Sequence, residues 1–200
     1  MIINIRGTNG SGKTTLARRF ISEHAAVTPM VAYLNPTKRE PDRQSWATGT
    51  FSVLPGVGRV ICVGPYNTPT GGMDALPSFD VCQRSVEAAA RLADHVICEG
   101  VLASTVFGSW YDFFSGFNKG EVVVAYLDTP IEVCLARIRE RQAAAGRVRE
   151  IKEDQVRDKV RAIAATRPRF DAAGIRTIDL PGQDGDAAAT TILDLMRGDF

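Results

Sequence analysis

Residues 7 to 14 read Gly7-Thr8-Asn9-Gly10-Ser11-Gly12-Lys13-Thr14, which fits the spacing GxxxxGK[ST] at every fixed position. These residue types in this order suit one task, the holding of a polyphosphate. Glycines let the backbone curl until successive N–H groups point at phosphate oxygens. Lys13 sets a positive charge against the β and γ phosphates, and the Thr14 hydroxyl, followed by Thr15, can ligate Mg²⁺. The short apolar run Ile2 to Ile5 precedes the loop, and helical character from Lys13 to Glu23 follows it. A glycine turn that merely starts a helix accounts for the glycines but gives Lys13 no role.

A bound nucleotide leaves open where its terminal phosphate goes: to water, to an acceptor, or nowhere. A GTP switch needs a guanine-reading [NT]KxD, and Thr37-Lys38-Arg39-Glu40 ends in the wrong residue; no LSGGQ stretch occurs either. A second acidic strand end does exist, in His95-Val96-Ile97-Cys98-Glu99-Gly100. It delivers Glu99 to the sheet edge where open α/β folds bind ligands. A carboxylate there can take the proton of an acceptor hydroxyl or hold Mg²⁺ through water, although a plain cap of the next segment is the competing reading. The stretch Tyr66-Asn67-Thr68-Pro69-Thr70-Gly71-Gly72-Met73-Asp74 follows a strand and precedes a helix. Its paired glycines allow close backbone approach, Asp74 offers a second carboxylate, and Arg84 can face the cleft from the helix. Glu99 and Asp74 therefore share the candidacy for proton acceptor. Between positions 137 and 149 lie five arginines, Arg137, Arg139, Arg141, Arg147 and Arg149, without a lysine. Arg137 and Arg141 fall on one helix face. Pairing with Glu132, Glu140 and Glu150 explains part of the cluster, while guanidinium chemistry favours recognition of phosphate oxyanions.

These groups need a scaffold, and the rest of the chain supplies one. Two hundred residues, 44% hydrophobic, suffice for one α/β domain with its own core. Further strands are expected at Met30 to Leu34, Arg59 to Val63, His95 to Cys98, Glu121 to Leu127 and Arg176 to Leu180. Helices are expected at Ser78 to Ala93, Ile131 to Ala145, Ile151 to Ala165 and Asp186 to Met196. The alternation argues for a mostly parallel sheet of about five strands with helices on both faces. Asn35 to Gly58 reads as an excursion from the sheet edge. The aromatic run Phe107 to Phe114 is expected mainly in the core, with one or two rings available as a wall against a base.

The balance of 24 basic to 23 acidic residues gives no general field for a polyanion, so any such partner must meet a local patch. The four scattered cysteines read as core residues of a reducing compartment, and His24 and His95 offer no zinc pattern. The chain opens on a strand-like MIINI without a basic-then-apolar leader, and no apolar stretch approaches 18 residues; a cytoplasmic protein with no membrane partner is expected.

The sequence Tyr126-Leu127-Asp128-Thr129-Pro130, followed by the arginine-bearing helix, resembles small P-loop kinases of the nucleotide and metabolite group. That resemblance implies a P-loop NTPase three-layer sandwich spanning residues 1 to 200 as one domain, with ATP and Mg²⁺ as cofactors. It also implies a lid at about 137 to 150 whose arginines neutralise the moving phosphoryl group and cover the adenine. The pairing of Gly71-Gly72-Met73-Asp74 with Glu99-Gly100 is more specifically similar to phage-encoded kinases that phosphorylate 5-hydroxymethyluracil in DNA. It implies DNA containing that base as the partner, in the cytoplasm of an infected host. A nucleoside or nucleoside monophosphate is the alternative acceptor, and an ATPase or nucleotide sensor the alternative outside the kinases.

Overall fold

The computed structural model describes residues 1–23, 25–34, 44–67, 71–146 and 150–199, with backbone alone for 27–34 and 44–48. Arg39, Arg43, Arg147, Arg149, His24, Thr68 to Thr70 and the first part of the excursion lie outside the described residues. The strands are β1 (Ile2–Arg6), β2 (Ala26–Leu34), β3 (Gln44–Leu54), β4 (Gly58–Val63), β5 (His95–Glu99), β6 (Val122–Asp128) and β7 (Arg176–Pro181). They form one sheet in the order β2-β3-β4-β5-β1-β6-β7. The five strands from β4 to β7 in that order run parallel, and β2 and β3 add an antiparallel extension at one edge.

The sheet therefore has seven strands where about five were expected. Six of the seven overlap segments expected above, and the one added strand falls in the excursion. Its second half, Gln44–Leu54, is a strand joined to β4 through a turn closed by the Val57 N–H to Leu54 carbonyl bond of 3.1 Å. Serine, threonine and a central glycine hide this strand from a search for apolar runs, although Pro55-Gly56 between Phe51–Leu54 and Arg59–Val63 carries a hairpin signature.

The helices are α1 (Lys13–Arg18), α2 (Phe79–Leu92), α3 (Val101–Thr105), α4 (Gly108–Phe114), α5 (Ile131–Ala144), α6 (Glu153–Ala172) and α7 (Gly185–Arg197), with a 3-10 turn at Gly72–Ala75. Alternation along β1 sends Ile3 and Ile5 to one face and Ile2, Asn4 and Arg6 to the other. The first face packs Leu16 and Ala17 of α1 and Ala188, Ile192 and Met196 of α7. The second packs Val86 of α2, Ala103 of α3, Trp110 and Phe114 of α4, and Ile163 and Phe170 of α6. Helix α5 joins α6 through a separate apolar seam of Leu135, Ile138 and Val156.

Local signals set several boundaries. Ser78 caps α2 by accepting the Val81 N–H at 3.3 Å, and Asp184 caps α7 by accepting those of Asp186 and Ala187 at 3.0 and 2.9 Å. Two boundaries differ from the sequence expectation. Helix α1 stops at Arg18, its path continued to Ile21 by bonds to carbonyls three residues back. Helix α6 runs through Pro168 to Ala172 because Thr166 and Phe170 are fixed in the core on either side of the proline. Among the described residues no helix is long and apolar enough to cross a membrane.

Candidate active site

All the chemistry-bearing strand ends meet at the carboxyl edge of the sheet. β1 leads into the phosphate loop between its neighbours β5, which ends in Glu99, and β6, which ends in Asp128. The cleft there has a volume of about 780 Å³ and is lined by Asn9 to Leu16, Gly71, Asp74, Glu99, Val101, Leu102, Arg137 and Arg141, together with Leu127, Pro181, Gly182, Gly185 and Ala188.

Gly10 and Gly12 take φ values of 78° and 102°, the left-handed region that favours glycine. A Cβ on Gly10 would also lie 2.3 Å from the Cys134 carbonyl oxygen, so α5 closes against the back of the loop. Two side chains tie the loop down. Thr129 Oγ1 donates to the Ser11 carbonyl at 2.9 Å, and Arg137 Nη1 reaches the carbonyls of Ser11 and Gly10 at 3.3 and 3.4 Å. Lys13 is buried and donates from Nζ to the Thr8 carbonyl at 3.0 Å. Thr8 Oγ1, Asn9 Oδ1 and Ser11 Oγ are buried without hydrogen-bond partners, a density of unmet polar groups that a self-contained turn would not keep.

Glu99 is 1% exposed, and its Oε1 accepts a hydrogen bond from Thr14 Oγ1 at 2.9 Å. Burial pushes its carboxyl up to about 7; the Lys13 charge and the Thr14 bond oppose the rise, and Asp74 adds to it. Gly72, at φ 75°, passes directly beneath: a Cβ there would lie 2.3 Å from Glu99 Oε1. Tyr66 is a neighbour whose phenol is held neutral, mainly by burial and then by the Glu99 charge.

Asp74 is exposed at the cleft and acts as a cap. Its Oδ2 accepts the Val101 N–H at 2.7 Å and its Oδ1 accepts the Leu102 N–H at 3.2 Å, which fastens the turn at Gly72–Ala75 to the start of α3. The other end of α3 is held by Arg6, whose Nη1 donates to the carbonyls of Ser104 and Val106 at 3.1 Å each. Arg6 is fully buried, its Nε donates to Asn4 Oδ1 at 2.8 Å, and burial lowers its pKa to about 10. Ser104 Oγ accepts the Gly7 N–H at 3.3 Å and donates to the Gly100 carbonyl at 2.5 Å, so one hydroxyl joins the phosphate loop to the Glu99 strand end.

The structure thus gathers Asn9 to Thr15, Glu99, Asp74, Gly71, Arg137 and Arg141 around one cleft, with Gly7 and Thr8 buried behind the loop. It places Tyr66, Asn67, Gly72, Met73 and Arg84 off the cleft lining. Met73 is a core residue, and Arg84 pairs with Asp80 at 3.0 Å along the exposed side of α2, the acid four residues back lying on the same helix face. Arg139 likewise leaves the cleft, pairing with Glu153 at 2.5 Å. None of the rings from Phe107 to Phe114 lines the cleft: Trp110 and Phe114 are buried, and Phe107 stacks on Tyr111 at 5.4 Å beneath the Arg169 guanidinium. Sequence reasoning passed over Arg19, Val101, Leu102, Lys159 and Gly182, all of which line the cleft. Only Gly182, in the Pro-Gly turn after β7, had a local signal. Five cations, Lys13, Arg19, Arg137, Arg141 and Lys159, line the cleft against two carboxylates, Asp74 and Glu99, so a nucleotide triphosphate fits its charge.

A family model for 5-hmdU DNA kinases matches residues 1–173, which leaves the lining residues Pro181, Gly182, Gly185 and Ala188 outside the matched part. A 5-hmdU DNA kinase of Pseudomonas phage M6 is 35% identical over 186 residues, covering 89% of each chain. One of Pseudomonas phage PaMx11 is 30% identical over 200 residues, covering 98% of this chain and 97% of the relative. In a 5-hmdU DNA kinase of Bacillus phage SP10, 29% identical over 184 residues, the match occupies 26% of a longer protein. On the family match and these relatives, the chain belongs to the 5-hmdU DNA kinase family.

Proposed function

We propose that this chain transfers the γ-phosphoryl group of ATP to the hydroxymethyl group of 5-hydroxymethyluracil in DNA, in the cytoplasm of a phage-infected cell. The observation that carries the reading is Glu99, a buried carboxylate hydrogen-bonded to Thr14 of the phosphate loop and one residue from the segment capped by Asp74. Family membership supports the acceptor. The parallel sheet, with the loop after its central strand, supports a P-loop NTPase sandwich working as one domain over residues 1 to 200.

Glu99 takes the proton of the hydroxymethyl O–H as that oxygen attacks the γ-phosphorus; the bond from phosphorus to the β,γ-bridging oxygen breaks and ADP leaves. Lys13 and Arg141 neutralise charge spreading over the phosphoryl oxygens, while Arg137 steadies the loop that holds them. Asp74 positions the acceptor side by fixing the start of α3. Magnesium, carried with the nucleotide, would have Thr14 as its protein ligand and would offset phosphate charge.

The test offers γ-labelled ATP with oligonucleotides containing thymine or hydroxymethyluracil, beside the free nucleoside and its monophosphate. Label is expected on the hydroxymethylated DNA alone. Label confined to the small molecules would make the protein a nucleoside or nucleotide kinase, and phosphate release without any labelled acceptor would make it an ATPase.

A further inference from the structure

Leu102 is 70% exposed, the most exposed large apolar side chain among the described residues. Single exposed leucines are ordinary on protein surfaces. This one lines the cleft, beside Asp74 and three residues after Glu99. Its backbone is also fixed: the Asp74 carboxylate holds the N–H groups of Val101 and Leu102, and Arg6 holds the carbonyls at the far end of α3. The stem therefore cannot retreat from a body pressed against it. Helix α6 packs on α3 and sends Lys159 to the same cleft, with Val160 next to it 36% exposed. An apolar tip on a rigid stem, with a cation lining the same cleft, complements a partner that offers stacked apolar faces and a phosphate backbone.

We infer that Leu102 is a wedge that enters the gap left in a DNA duplex when the target base turns into the cleft, and so sets how well the enzyme uses paired DNA. The inference rests on the proposed acceptor. A base drawn out of a duplex leaves its neighbours unstacked and its partner unpaired, which favours its return. An apolar side chain in the gap restores contact with the neighbouring bases and blocks that return. A single strand leaves no paired gap to fill, so the wedge matters to duplex DNA and little to single strands.

The experiment compares kcat/KM on single-stranded and duplex forms of one oligonucleotide with a single hydroxymethyluracil, for the wild type, Leu102→Ser and Leu102→Met. Leu102→Ser is expected to raise the ratio of single-strand to duplex kcat/KM by about tenfold or more, the loss lying mainly in KM for the duplex. Leu102→Met, unbranched but apolar and of similar length, should return the ratio toward the wild-type value. A 2-aminopurine placed next to the target base should brighten when wild type binds the duplex and brighten less with Leu102→Ser. An unchanged ratio, or equal losses on both forms, overturns the wedge while leaving the acceptor in place. A wild type that labels neither form of DNA overturns the acceptor reading, and the wedge with it. Unaltered melting temperatures would exclude misfolding as the cause of any change, as the exposure of Leu102 leads one to expect.

Discussion

Glu99 must be a carboxylate to accept a proton, yet it sits where burial favours the acid form. With its carboxyl pushed up to about 7, kcat/KM should climb as pH rises toward 7 and then level off. Glu99→Gln should lower turnover by about 10² to 10⁴ and flatten that rise, with ATP affinity little changed; a loss below about tenfold would move the proton elsewhere. The same burial affects stability. The folded state binds this proton more tightly than the unfolded chain, whose carboxyl titrates near 4.5, so stability from this group is complete below that pH, declines as pH rises, and levels off above about 7. The amide variant should therefore melt higher than the wild type at about pH 8, by up to about 3 kcal/mol, with the gap closing near pH 5. Thermal melts at both pH values check this, and a variant less stable at both would show that the Thr14 bond and the Lys13 charge outweigh the burial. Lys13→Ala should abolish transfer without altering the circular dichroism spectrum, since the lysine's role is charge near the transferred group and not core packing. Near-normal turnover would remove the loop from the mechanism.

Helix α5 presents Arg137 and Arg141 one turn apart, and the two have different surroundings. Arg137 is seated on the carbonyls of Gly10, Ser11 and Gly182, whereas Arg141 is exposed at the cleft. Arg141→Ala should lower kcat more than it raises KM for ATP, because the proposed function has its charge offset that of the phosphoryl oxygens in the transition state. Arg137→Ala should change both, since the loop it steadies binds ATP before it serves the reaction. Steady-state kinetics with ATP varied separates the two, and a pure KM effect at both positions would assign α5 to nucleotide holding. Across the cleft lining, α3 is only five residues long and could not hold its shape alone. Asp74 at its first turn and Arg6 at its last supply what its length does not.

For the whole molecule, a net charge of +1 means that DNA must be met locally. The cations lining the cleft are the candidates, and in the proposed function they hold ATP as well. Rising salt should raise KM for oligonucleotide, log KM climbing with log salt by a few units at most, at about 0.9 per phosphate contacted, while KM for ATP, which the proposed function seats in the enclosed loop, should move less. Equal insensitivity of both constants would argue that the acceptor is held by its base alone.

What the sequence determined on its own was whatever depends on neighbouring residues. The phosphate loop, the strand ending in Glu99, the capped start of α2 and the buried parallel strands are all legible because local steric and hydrogen-bonding rules act over a few positions. Strand β3 was partly legible, in its hairpin turn but not in its serine- and threonine-rich body. Only the tertiary structure decided that Asp74 caps a helix 27 residues further along, that Arg84 turns to Asp80, and that no ring of the aromatic run, expected mainly in the core, walls the cleft. It also decided that a serine, Ser104, bridges loop and strand end, and that Lys159 and Leu102 line one cleft. Such contacts join residues far apart in the chain. Their energies depend on burial and distance, which exist once the sheet order has brought the strand ends together.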